Sequence, residues 1–125
     1  MSGFRRTCAG LFALFLLVGW ARPAGTHGIL LASTPKSGET VTVGISQVVL
    51  RFNSRIERAL SKLLLSGSSG ERVSLAVRLP ETQEPNWLTA TLPTLPLGLY
   101  TVHWKVFSVD GHVTHGSFSF QVTER

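Results

Sequence analysis

The strongest constraint on this chain is a single alternating run, residues 99–109, LYTVHWKVFSV. Tyr100, Val102, Trp104 and Val106 fall on one side of an extended backbone, with Thr101, His103 and Lys105 on the other. Side chains repeat every second residue in a strand and every 3.6 residues in a helix. The run therefore reads as a long strand with one buried face. Shorter pieces repeat the pattern. In residues 47–53, QVVLRFN, Val48, Leu50 and Phe52 alternate with Gln47, Val49 and Arg51. Residues 61–65 and 71–79 form a pair around SGSSG, a loop rich in turn formers. Residues 86–92, NWLTATL, alternate without marking which face is inner, and Phe118, Phe120 and Val122 give the last strand its buried side.

Turn residues divide these runs. Ser33 to Gly38, STPKSG, follows Ile29-Leu30-Leu31, and PTLPLG precedes the long strand. Residues 55–59 can form one helical turn, and no longer helical period is present. About seven short strands at this spacing predict an all-β domain, a Greek-key sandwich or barrel of Ig-like type. There is no internal repeat and no second domain.

The N-terminus follows a different rule. Arg5 and Arg6 precede the apolar run LFALFLLV, residues 11–18. A basic start followed by a short apolar segment reads as a secretory signal peptide; the run is shorter than the roughly 20 apolar residues of a membrane span. Two cleavage points compete. A cut after Thr26, with Ala24 as the other small residue, makes His27 the first residue of the mature chain. A cut after Ala21 starts it at Arg22. On the first reading, residues 1–26 are the signal and residues 27–125 the exported domain.

Removing Arg5, Arg6 and Arg22 from the 12 basic residues leaves nine against seven acidic ones, a net charge of +2. Without a Lys/Arg block, nucleic acid is not an expected partner. The single Cys, Cys8, and the single Met, Met1, both lie in the leader. The mature chain thus has neither a disulfide nor a thioether, and its core must supply its stability.

Four His lie beyond the leader: His27, His103, His112 and His115. His103 shares its face with Thr101 and Lys105 and reads as an exposed strand residue. His115, just before Gly116, reads as a surface residue or an auxiliary ligand. Asp110 and His112 flank Gly111 in SVDGHVTHG, and residues two apart on an extended chain point to the same side, their Cα atoms about 6.6 Å apart. D-G-H is also an ordinary hairpin turn, so the pair alone is a weak metal signal. An N-terminal His27 would add an amine and an imidazole from one residue. Two nitrogens from His27, one from His112 and an oxygen from Asp110 make a planar N,O set of the kind Cu(II) prefers. Soft ligands for Cu(I) are missing.

These residues also resemble a known family. His27, LLASTPKSGETV, VVLRFNSRIE and LPLGLYTVHWKVFSVDGHVTHGSFSFQV are similar to the CopC family of periplasmic copper-resistance proteins, over essentially all of residues 27–125. Gly98, Tyr100, Trp104, Ser108, Asp110-Gly111-His112 and Gly116 carry the most specific part, and residues 56–95 carry almost none. The resemblance implies a seven-stranded Greek-key β-sandwich, a periplasmic location, and a copper ion held by His27, Asp110 and His112. It also implies an inner-membrane copper transporter of the CopD type as partner, here expected as a separate polypeptide. The Met-rich Cu(I) site of some members has no counterpart.

The expected role is a Cu(II) chaperone or scavenger, not an enzyme. Two other classes compete: a copper oxidase built on an N-terminal His, and a metal-free Ig-like scaffold in which D-G-H is only a turn. A mature chain beginning at Arg22 favours the last.

Overall fold

A computed structural model describes residues 28–79 and 84–124. The expected signal peptide and His27 lie outside the described residues. Eight strands follow in chain order: β1 (Leu30–Thr34), β2 (Thr40–Thr42), β3 (Gln47–Phe52), β4 (Lys62–Gly67), β5 (Arg72–Leu75), β6 (Trp87–Thr91), β7 (Gly98–Phe107) and β8 (Val113–Thr123). They form two sheets, β1-β3-β6 and β2-β8-β7-β4-β5, facing each other as a β-sandwich. The all-β, Ig-like Greek-key expectation holds. The strand beyond the expected seven is β2, three residues long and parallel to the end of β8 through Thr40↔Gln121 and Thr42↔Thr123.

The alternation places the core as expected. Val48, Leu50 and Phe52 of β3 are fully buried, as are Val102 and Val106 of β7 and Phe120 of β8. In β6 the inner pair is Leu88 and Ala90, and Thr89 on the other face is also covered. Phe52 meets Trp104 edge to face, with ring centroids 5.2 Å apart. This contact joins the two sheets near one end, and Gly116 makes room for it: a Cβ there would stand 2.5 Å from the indole. The helical turn expected at residues 55–59 appears one step later, where the Leu60 and Ser61 amides donate to the Glu57 carbonyl. No helix among the described residues is long and apolar enough to cross a membrane.

The central feature is the β7–β8 hairpin. Its ladder runs antiparallel from Gly98↔Val122 to Phe107↔Val113 and carries the chain into residues 108–112.

Candidate metal centre

The turn at the hairpin tip is built by its own backbone. The Gly111 amide donates to the Ser108 carbonyl at 2.9 Å, and the Ser108 amide donates to the His112 carbonyl at 2.8 Å. Gly111 takes φ +90°, a left-handed conformation that costs glycine little. Asp110 then folds over the turn. Its Oδ1 accepts the His112 amide at 3.1 Å, and its Oδ2 lies 3.0 Å from His112 Nδ1. The two side chains are accordingly held together at the surface, with His112 71 % and Asp110 36 % exposed. Asp110 and His112 meet, but through this turn rather than along the extended chain that the two-residue spacing assumed.

A second set of contacts brings the start of the domain to the same tip. β1 runs antiparallel to β3, so its first residues lie beside the end of β3: the Asn53 amide donates to the Ile29 carbonyl, and the Ile29 amide to Asn53 Oδ1. After β3 the chain turns alongside the hairpin, with Val109 donating to Arg55, Glu57 donating to Phe107, and Ile56 bridging Ser108. Gly28 is trapped where these paths converge. Its amide donates to Ser54 Oγ at 3.0 Å, and its carbonyl accepts from Thr114 Oγ1 at 2.8 Å. Ser54 Oγ lies 3.4 Å from Ser108 Oγ, and Ser108 is 2 % exposed. Gly28 has φ +72°, and a Cβ there would come within 2.4 Å of Thr114 Oγ1. Three hydroxyls and a positive φ thus fix the residue that follows His27.

Ser108 and Thr114 stand in the sequence beside D-G-H, yet no local pattern gives them a task. Ser54 carries no signal at all, because its partner lies 26 residues away. The other imidazoles lie elsewhere. Thr114 faces inward, so His115 takes the opposite, exposed face of β8, directly across from Lys105. His103 is half-buried on that outer face, its Nε2 3.0 Å from Ser66 Oγ. Neither joins Asp110 and His112. Among the described residues no group of three or more His, Cys, Asp and Glu could hold a metal ion, so the expected set depends on His27.

At the far end of β7, Tyr100 is buried and donates its hydroxyl proton to the Pro96 carbonyl at 2.6 Å. Burial, aided by the Glu71 carboxylate, raises its pKa above the ordinary value.

The fold and this tip define an Ig-like β-sandwich with an imidazole–carboxylate pair on its last hairpin. Residues 30–123 match the CopC domain, and the chain belongs to the CopC family. The crystal structure of CopC from Methylosinus trichosporium OB3b superposes with a TM-score of 0.71 at 31 % identity, covering 77 % of this chain and 93 % of that one. PcoC, a methionine-rich copper resistance protein from Escherichia coli, superposes at 0.63 with 26 % identity, covering 78 % of this chain and 99 % of that one. Protein YobA of E. coli K12 is 30 % identical over 97 residues, 77 % of this chain and 78 % of its own.

Proposed function

We propose that this protein is exported, loses residues 1–26, and holds Cu(II) between its new N-terminus and the β7–β8 hairpin. The ligands are the His27 amine and imidazole, Asp110 and His112. The ion is cargo, kept for copper resistance or delivery, and no catalytic step is assigned to the site. Family membership supports the copper chemistry. The exported leader and the periplasmic location rest on the basic and apolar pattern of residues 1–26.

The observation that carries the reading is the clamp on Gly28. That clamp holds Gly28 itself beside Ser54, Ser108 and Thr114, at the base of the D-G-H turn, and the proposed ligand His27 is its immediate neighbour in the chain. The donor spacing also fits. Two ligands bound cis in a square plane, each at about 2 Å, stand about 2.8 Å from one another. His112 Nδ1 and Asp110 Oδ2 are 3.0 Å apart. An ion bridging these two atoms needs little movement of either side chain. Their exposure leaves the ion open to exchange, as delivery requires.

Titration of the exported protein with Cu(II) tests this. His27→Ala and His112→Ala each weaken binding. If neither does, the site is wrong. A separate inner-membrane transporter of the CopD type remains the partner implied by the resemblance.

A further inference from the structure

On the outer face of the five-stranded sheet, two lysines and a histidine stand in one row. Lys62 of β4 is directly opposite Lys105 of β7, and Lys105 is directly opposite His115 of β8. Like charges placed directly across a sheet are destabilising, so the Lys62–Lys105 pair has a cost that the fold itself does not require. β4, β5, β7 and β8 carry no acidic residue at any position, and Glu57, whose amide donates to the Phe107 carbonyl in the adjoining turn, forms no ion pair with another described residue. Lys62 and Lys105 form no ion pair with another described residue. Lys105 Nζ instead lies 5.7 Å from the centre of the Phe107 ring. One step toward the tip on the same face, Phe107 pairs with Val113, which is 45 % exposed. The result is a small apolar patch edged by cations. Ser108 is three residues beyond Lys105, about 10 Å along a strand, so the patch borders the D-G-H turn.

We infer that this face is a docking surface for an acidic protein, which meets the sandwich over Lys62, Lys105, Phe107, Val113 and His115 beside the exposed His112. Charge complementarity selects that occupant. A bilayer is the poorer match, because each Lys or Arg near an anionic membrane contributes only roughly five-fold in binding. Two such residues give about 25-fold, too little for stable anchoring. The role as an exchange surface rests on the proposed copper site, whereas the docking itself does not.

The test uses the exported protein, isotope-labelled and metal-free, with a ten-residue poly-glutamate peptide as probe. Amide shifts should move at Lys62, Lys105, Phe107, Val113 and His115. The Lys62→Glu/Lys105→Glu variant should bind at least ten-fold more weakly. Lys36→Glu/Arg51→Glu, which reverses two exposed charges outside this sheet, should bind like the parent. Because charge reversal can disturb folding, Lys62→Gln/Lys105→Gln is measured alongside and should show an intermediate loss. Equal losses in the Lys62/Lys105 and Lys36/Arg51 reversals, shifts scattered over the surface, or tighter binding to phosphatidylserine vesicles than to the peptide would each overturn the inference. Repeating the titration with Cu(II) separates the two proposals: docking without copper binding sinks the site and leaves the face standing.

Discussion

The two ends of the β7–β8 ladder handle polar groups in opposite ways. At one end the Tyr100 hydroxyl is buried and spends its proton on the Pro96 carbonyl, while the ring stacks on Phe120 at 5.8 Å. At the other, the His112 imidazole stands 71 % exposed, yet its amide and ring nitrogen are both held by Asp110. A polar group inside a sandwich must be satisfied, because burying it unpaired costs about 1–3 kcal/mol. An exposed group has water and needs no such partner. The Tyr100 end is therefore explained by folding alone. At the hairpin tip the Asp110–His112 amide contact is ordinary turn chemistry, whereas the contact between the carboxylate and the exposed imidazole is the part on which the proposed copper site draws.

The contrast can be broken at either end. The largest effect is expected for His112→Ala. Altering groups that merely orient a ligand costs about 10–100-fold in metal affinity, so losing a ligand should cost at least about 100-fold. The melting temperature should stay near that of the parent, because the side chain is exposed. A large fall in melting temperature would make the tip structural after all.

Gly28→Ala comes next. The new Cβ meets Thr114 Oγ1 at a positive φ, and overpacking of this kind costs about 1–3 kcal/mol. Copper affinity should fall together with stability, in matched denaturant and Cu(II) titrations. Ser54→Ala is a gentler version of the same test. It removes the partner of the Gly28 amide, costing about 1 kcal/mol, and loosens copper binding by a smaller factor.

At the structural end, Tyr100→Phe should cost about 1 kcal/mol at neutral pH through the lost hydrogen bond and leave Cu(II) binding unchanged. Its raised pKa sets the sign of the pH effect. The folded state favours the neutral phenol, so this contribution is complete below the unfolded value of about 10. It is lost as the pH rises through the higher folded value. Urea midpoints measured across that alkaline range should fall more steeply in the parent than in Tyr100→Phe.

Much of this architecture is legible before any coordinates. Period-two alternation identifies Val48, Leu50, Phe52, Val102, Val106 and Phe120 as core, because a strand sends alternate side chains to opposite faces. It does not reveal β2, whose three residues pair in parallel with a strand some 80 positions away. Nor does it orient β6, where Thr89 is buried alongside Leu88 and Ala90. At the tip, Asp110 and His112 are readable because they are two residues apart. The clamp is not: Ser54, Ser108, Thr114 and Gly28 come together only when β1 lies on β3 and the following turn lies on the hairpin. Their side chains are common ones, and their meaning is entirely positional.

The account depends on a free amine at His27. The decisive measurement compares Cu(II) electron paramagnetic resonance and affinity for protein beginning at His27 with those for the same protein carrying one extra N-terminal residue. The account predicts that the extension removes one nitrogen from the copper spectrum and weakens binding by orders of magnitude. Identical spectra and affinities for the two forms would contradict it.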